Sequence, residues 1–475
     1  MTAIAGLGTY VPRYSLSAEA VTEAWGQFHG AGIERTAVPA ADEDTLTMAH
    51  EAATNALDAA GTDPADVEGL LVATTTPPTE EEPMTPRLVS TLALDSGVRT
   101  RQLTGSTRAG VGALIAAADG DGPTLVVASD APRGAPDSDV EHAAGAGAAA
   151  AVVDADGPAA ITDTAEHTEA VPGNRFRPAG SDETTGLGIT SYDRDAYTSA
   201  VADATDALAF DPADAAAVAL QAPNGKLPYR AAGALGVGTE TIAAGTVVSE
   251  TGDCGTAGPL LGLAAATRDG HAPALVVGYG SGSASAAVVE GAAPVETGGV
   301  DVVPADGERT GLSYGEYLRL RGEITSGEPD GGGAYVSVPS WKRTMAQRHR
   351  LVAGRCTDCG ALAFPPAGAC TDCGTFESYE AVRLPGTGTV EAATTIGAGG
   401  APPEFVEQQA KSGAYTSAVV ALDGPDGGDV SIPTQVVGTE DPVSVGDRVE
   451  ATIRRIYTQE DVTRYGFKTR PLDSK

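Results

Sequence analysis

The chain is 475 residues long and carries 64 acidic against 30 basic side chains, a net charge of −34, so it has length for two to four domains with proper cores. That balance disfavours DNA or RNA as the main ligand, because phosphate backbones need positive surface, and no stretch approaches the roughly 18 uninterrupted apolar residues of a membrane helix. The charge is spread along the chain and only five of the basic residues are Lys; such a surface stays dispersed when salt screens other interactions, so a cytoplasm of very high salt, as in halophilic archaea, is expected.

The start, "MTAIAGLGTYVPRYS", lacks the basic and long apolar regions of a signal peptide, and a soluble cytoplasmic protein is expected. Up to about residue 300, short apolar runs alternate with Ala-rich helical stretches, which predicts an α/β fold. "DTLTMAHEAATNALDAAG" reads as a helix with an acidic first turn and a glycine stop. "VEGLLVATTT", "PTLVVASDA", "DAAAVALQAP" and "PALVVGYGS" read as buried strands bounded by Gly, Pro or Asp.

"LTGSTRAGVGALIAAAD" sets a polar turn directly before a helix. A turn so placed presents one side chain where backbone N–H groups and the helix dipole favour negative charge. That seat suits a thiolate nucleophile, yet it holds Thr107. The order turn, helix, strand, small-residue strand then recurs. "TGSTRAGVGALIAAAD", "PTLVVASD" and "GAGAAAAVVDADGPA" are followed later by "TGDCGTAGPLLGLAAATRDG", "PALVVGYG" and "GSGSASAAVVEGAAPV". Either the Ala-rich composition counterfeits a repeat, or an α/β unit is duplicated. Duplication would bring the Thr107 turn and the Asp253–Cys254 turn to one pocket near a pseudo-twofold axis.

With "GLGTYVPRYSL", "EDTLTMAHEA", "LLVATTTPP", "LTGSTRAG", "PGNRFRPAG", "QAPNGKLPYRAAGALGV", "TGDCGTAGPLLGL" and "GYGSGSASAAVV" in this order, roughly residues 1 to 295 resemble the thiolase superfamily. The closer resemblance is to hydroxymethylglutaryl-CoA synthase and its ketoacyl synthase III-like relatives. It implies a duplicated, five-layered thiolase-like core, residues 1–160 and 161–295 forming the halves, and a homodimer. It also implies chemistry on coenzyme A thioesters. A Cys is acylated, a His and a second polar group hold the other thioester and its oxygen, and a Glu acts as acid/base.

The resemblance places these roles at Thr107, Gln221, Asp253 and Thr75, all four substituted. A threonine hydroxyl needs a base, and Gln221 is not one. His29, His50, His142, His167, His271 and His349 stand outside the motif positions. Cys254 is either a relocated thiol in the same pocket or a small buried residue packing a turn. Lys226, Arg230, Arg175 and Arg177 are either contacts for CoA phosphates or surface ion pairs with nearby carboxylates.

After a polar, Gly-rich linker over 296–333, the segment 334–378 holds a locally basic helix and "CTDCGALAFPPAGACTDCG". Cys356-x-x-Cys359 and Cys370-x-x-Cys373, ten residues apart, put four thiolates around Zn²⁺ with no open position, so the metal is structural. From 379 to 475, five or so short strands with Gly-Pro-Asp turns predict a small β-barrel of OB type. Its acidity and scarce aromatics disfavour a base-stacking platform. Ribbon plus barrel, ending in "RYGFKTRP", resembles the OB-fold proteins that accompany thiolases on acyl-CoA. In archaea these bridge acetoacetyl-CoA thiolase and hydroxymethylglutaryl-CoA synthase.

Three functions remain open from the sequence. The first is a catalytically weakened synthase homologue that binds acyl-CoA and partners a thiolase. The second is an active enzyme with altered residues: a condensing enzyme, or a carbon–carbon lyase for which Tyr192, Tyr229, Tyr279 and Tyr314 are available. The third, disfavoured by charge, is a nucleic-acid-binding ribbon/OB protein.

Overall fold

The computed structural model describes residues 2–120, 122–304, 308–325, 338–376, 378–397, 399–402, 405–459 and 462–472. The Gly-rich end of the expected linker, 326–333, and the start of the basic segment, 334–337, lie outside the described residues. The chain divides into two compact units, Met1–Ala40 with Asp44–Tyr317, and Ala41–Glu43 with Leu318–Lys475.

The first half of the first unit begins with β1 (Thr2–Val11), β2 (Tyr14–Ser17), α1 (Ala18–Trp25), β3 (Arg35–Val38), α2 (Thr45–Ala60) and β4 (Gly69–Ala73). It continues with α3 (Thr85–Thr91), β5 (Arg99–Leu103), α4 (Ala109–Ala118), β6 (Thr124–Asp130), α5 (Asp139–Ala143) and β7 (Gly147–Asp154). The second half holds β8 (Ala159–Thr168), α6 (Thr190–Asp206), β9 (Ala217–Leu220), α7 (Leu227–Leu235), α8 (Thr239–Gly245) and α9 (Val248–Thr251). It closes with α10 (Gly258–Arg268), β10 (Ala274–Gly280), β11 (Ser283–Gly291) and β12 (Val295–Gly299).

The strands form one path, β5-β4-β6-β7-β1-β8-β11-β10-β9, with β12 also paired to β1. Within it, β4-β6-β7-β1 is matched by β9-β10-β11-β8. Both sets start with a parallel pair and continue with two antiparallel ones. The repeat is therefore one of topology and not a by-product of alanine content. The halves join where Thr2–Ile4 pairs with Ala159–Ile161.

Helix α2 covers β1, β6 and β7; α4 and α10 lie between the half-sheets, and α6 covers β8, β10 and β11. Helix, half-sheet, paired helices, half-sheet and helix make the five layers. Covered on both faces, β6 and β10 are buried along their whole length, as continuous apolar runs require. Helix α2 starts on Asp44, whose carboxylate accepts from Leu46 N and Thr47 N while Thr47 Oγ1 accepts from Asp44 N. The acid foreseen in its first turn is thus the cap itself, in a capping box.

The stretch read as a linker is structured at its start. Strand β12 runs parallel to β1, β13 (Thr310–Leu312) pairs with β2, and α11 (Tyr314–Arg321) buries Tyr314 and Tyr317. Its Gly-rich composition hid strands whose stability comes from partners far away in sequence.

In the second unit, α12 (Val338–Arg350) is held to the barrel by Trp341, whose ring lies 4.1 Å from the Arg464 guanidinium. Strands β14 (Val352–Cys356), β15 (Leu362–Ala363) and β16 (Tyr379–Arg383) form the ribbon sheet. Barrel strands β17 (Thr387–Ile396), β18 (Tyr415–Asp423), β19 (Asp429–Val436), β20 (Arg448–Gln459) and β21 (Val462–Pro471) close in the order β17-β18-β19-β21-β20, with α13 (Val406–Ser412) between β17 and β18. Residues 379–383, expected in the barrel, instead pair with Val352–Cys356. Leu351 and Ala353 share one core with Val390, Val420, Leu422 and Val449, so ribbon and barrel pack as one body. Among the described residues no helix is long and apolar enough to cross a membrane.

Candidate functional site

The turn after β6 is organised by one buried carboxylate. Asp130 Oδ1 accepts from Thr74 Oγ1 (2.9 Å), Thr75 N (2.7 Å), Thr76 N (2.9 Å) and Thr76 Oγ1 (2.8 Å), and Oδ2 from Thr256 N (2.7 Å). Five donors replace the water that a buried charge loses. They fix the loop after β4 against the turn before α10. Sequence reading passed over Asp130; its signal is a lone carboxylate ending the buried run "TLVVASD".

Each of the two repeat-related turns carries a glycine at positive φ, Gly105 at 83° and Gly252 at 75°, which favours glycine. Thr107 is buried at 4% exposure, and its hydroxyl donates to the Tyr279 carbonyl at 2.6 Å. In the other turn, Asp253 Oδ1 accepts from Gln221 Nε2 at 2.9 Å and Gly255 N at 3.0 Å, while Oδ2 pairs with Arg175 Nη1 at 2.5 Å.

A cleft of about 620 Å³ opens beside Thr107, lined also by Thr75, Arg175, Phe176 and Arg177. The Arg177 guanidinium donates through Nη2 to the Thr75 carbonyl. Thr107, Thr75, Arg175 and Arg177 are therefore together. Gln221 and Asp253 do not line the cleft and touch its wall through Arg175. Lys226 and Arg230 are exposed at the start of α7 and do not line it either. Arg175 and Arg177 line the cleft, and Arg175 is at the same time ion-paired with Asp253.

Cys254 does not line the cleft. It is 1% exposed, packed in the central core, and burial pushes its thiol up to about 12. That position offers a neutral buried thiol rather than an accessible thiolate. Of the four tyrosines, none lines the cleft. Tyr279 donates to Asn174 Oδ1 at 2.7 Å with its phenol pushed by burial up to about 12, and Tyr314 donates to the buried Glu141 at 2.9 Å. No histidine lines the cleft. His142 Nδ1 accepts from His29 N at 3.0 Å, which leaves the proton on Nε2. The His29–Asp137–His142 cluster therefore lacks a free ring lone pair for a metal at that atom.

In the ribbon, the two Cys-x-x-Cys-Gly knuckles repeat one hydrogen-bond pattern. Cys356 N donates to Ala361 O and Cys370 N to Thr375 O, while Gly360 N and Gly374 N return to Cys356 O and Cys370 O. Both glycines are left-handed, φ 79° and 78°. The four sulfurs lie within 4.8 Å of one another, with Cys356–Cys373 and Cys359–Cys370 at 3.6 Å. Thiolates about 2.3 Å from a tetrahedral zinc stand roughly 3.8 Å apart, so the set fits Zn²⁺. With four protein ligands the metal would fix the fold of the ribbon.

A duplicated α/β core with paired polar turns before its two central helices defines a protein of the thiolase fold. Solved chains bear this out at the level of fold. An HMG-CoA synthase complexed with CoA matches with TM-score 0.59 and 19% identity over 71% of this chain and 94% of that one. MvaS in complex with 3-hydroxy-3-methylglutaryl coenzyme A matches with TM-score 0.58, 22% identity, 70% and 94%. FabH, 3-oxoacyl-(acyl carrier protein) synthase III of Pseudomonas aeruginosa PAO1, gives 0.54, 20%, 62% and 99%. The chain belongs to the hydroxymethylglutaryl-CoA synthase family: it is 30% identical to the Caldivirga maquilingensis synthase over 339 residues, 67% of this chain and 97% of the relative. The Methanopyrus kandleri synthase is 29% identical over 345 residues, 68% and 97%. Residues 343–378 match the rubredoxin-like zinc ribbon domain of ChsH2, and 381–454 its C-terminal OB-fold domain.

Proposed function

We propose that this chain binds an acyl-CoA thioester in the cleft beside Thr107 without forming a cysteine-linked acyl intermediate. The observation that carries the reading is the commitment of the Thr107 hydroxyl to the Tyr279 carbonyl at 2.6 Å. A hydroxyl becomes a nucleophile only with a base beside it. The position that the family resemblance gives to histidine is Gln221, an amide bound to Asp253. The ligand class is supported by the relatives' name and by two similar solved chains, one holding CoA and one 3-hydroxy-3-methylglutaryl coenzyme A.

In this reading Lys226 and Arg230 meet the CoA phosphates, and the ribbon–barrel unit serves docking to a thiolase. The chain is a cytoplasmic homodimer adapted to high salt. The open edge of β5, where Arg99 and Arg101 are exposed, supports pairing with a second copy, since an unpaired strand edge invites one.

Intact-mass measurement after incubation with acetyl-CoA, beside a binding titration, tests the proposal. Saturable binding with unchanged protein mass is expected. An acyl adduct on Thr107 or Cys254 overturns it, and turnover of a β-hydroxyacyl-CoA without an adduct favours the lyase instead.

A further inference from the structure

Residues 27–33 run from the end of α1, at the left-handed Gly26 (φ 76°), toward β3 and are tied down at two places. At the first, the rings of Phe28 and His29 stack on the His142 imidazole of α5 at 5.4 and 5.3 Å, and His29 N donates to His142 Nδ1 at 3.0 Å. At the second, Ala31 O accepts from Gly225 N at 2.9 Å. Gly32 lies so close there that a Cβ on Gly225 would stand 2.0 Å from the Gly32 carbonyl oxygen. Phe28 and Ile33 also pack with Ala143, Ala222 and Val248.

The His142 side chain is fully buried, and its Nε2 has no hydrogen-bond partner among the described residues. The titratable groups around it are unevenly placed. Asp137 stands 3.7 Å and Glu141 of α5 3.9 Å from Nε2. Asp139 faces His29 at 3.8 Å, and Tyr314 of α11 is bonded to Glu141 at 2.9 Å. The nearest carboxylates thus face the nitrogen that already carries a proton. A second proton has to enter at Nδ1, where the His29 N–H points. Two donors cannot share that place, so His142 becomes an imidazolium only when the His29 amide withdraws. Burial and the neighbouring His29 imidazole hold the group below its ordinary value, with Asp137 and Asp139 opposing.

We propose that residues 27–33 form a pH-sensitive strap, closed while His142 is neutral and released in mild acid together with the turn at 225–226 that starts α7. Released, His142 takes a proton near the ordinary histidine value of about 6.5; closed, it does so only at lower pH. Closure is therefore complete above about pH 6.5 and is lost as pH falls below it. The consequence for a ligand rests on the acyl-CoA reading, which gives Lys226 to the CoA phosphates: acid should loosen that contact.

Hydrogen exchange of the full chain between pH 7.5 and 5.5 tests the strap, on peptides covering 26–33 and 222–227 and corrected for the intrinsic pH dependence of exchange. Protection of both should fall severalfold, by about tenfold at most, while β6 and β10 keep theirs. His142→Gln, whose amide oxygen can still accept from His29 N without titrating, should abolish the fall. His29→Ala, which keeps the main-chain N–H, should not. Level protection in the unaltered chain overturns the proposal. A fall that persists in His142→Gln, or one that vanishes in His29→Ala, overturns the assignment to His142. Calorimetric titration with acetyl-CoA at the same two pH values reads the consequence, and severalfold weaker binding at pH 5.5 is expected. Unchanged affinity beside a measured release overturns the link to Lys226. No binding at either pH overturns the acyl-CoA reading, while the exchange result still decides the strap.

Discussion

Arg175 and Asp253 form a partly buried ion pair at 2.5 Å, with the carboxylate 3% exposed and the guanidinium 19%. Because Asp253 also holds the Gln221 amide, two residues to which the family resemblance gives catalytic positions are joined with Arg175 into one charge-balanced array. The charges of this array cancel without substrate, while the Gln221 Oε1 is buried with no hydrogen-bond partner among the described residues. Gln221 and Asp253 thus support one another structurally, whereas Thr107 is tied to Tyr279 and Thr75 to Asp130 and Arg177.

Removing the cation should expose how much the array contributes. Arg175→Gln leaves the Asp253 carboxylate buried with neutral partners only, and the chain should lose about 2–3 kcal/mol of unfolding free energy, since breaking one side of a buried pair strands the other charge. The double variant Arg175→Gln/Asp253→Asn removes the stranded charge and should recover part of that loss. Denaturant unfolding of the three proteins checks this; equal stability of the single and double variants would show that the pair is too solvated to matter.

Cys254 should be inert to iodoacetamide at pH 8 in the folded chain and react once the chain unfolds. Its raised pKa also has a sign. With the folded thiol near 12 and the unfolded one at 9.0, the unfolded state ionises first, so stability is full below about pH 9 and falls as pH rises from there toward 12. At pH 10.5 the loss from this group is about 2 kcal/mol. Cys254→Ala should remove that part of the alkaline slope, visible as a smaller drop in unfolding free energy between pH 8 and 10.5 than in the unaltered chain.

The ribbon should carry one zinc per chain. Its smallest strand, Leu362–Ala363, is two residues long, and so short a sheet lacks the core to fold alone. Chelation, or Cys370→Ser, should release the metal and abolish protection of the amides of Val352–Cys356 from hydrogen exchange. The strands of the first unit should keep theirs. Metal analysis with exchange mass spectrometry reads both.

Much of this is legible in the sequence because local chemistry and global fold agree. The knuckles can be read from spacing alone, since four thiols at that separation have few other uses. The α/β alternation follows from β6 and β10, whose apolar runs are buried on both faces. What escapes depends on partners distant in sequence. Strand β12 stands by pairing with β1, and residues 379–383 look like a barrel strand until Val352–Cys356 claims them. At the site, the identities of Thr107 and Gln221 are plain, but the ties from Thr107 to Tyr279 and from Asp253 to Arg175 are not. Asp130 goes unread because a carboxylate in a strand shows its purpose only when its five donors are in place.

Placing at residue 107 the sulfur that the family resemblance implies separates geometry from chemistry at the turn. Thr107→Cys exchanges a 2.6 Å hydroxyl bond for a weaker thiol contact, at a cost of about 1 kcal/mol, and leaves the rest of the cleft as it is. Because Thr107 lines the cleft and Cys254 does not, the new thiol should be alkylated while Cys254 stays unmodified, and acyl-CoA should protect it. Acylation by acetyl-CoA should remain slow, since Gln221 supplies no base to form the thiolate. Peptide mapping after timed exposure to iodoacetamide, with and without acetyl-CoA, gives both quantities. Rapid acylation of the introduced thiol would mean that the helix N-terminus activates it without a base at residue 221.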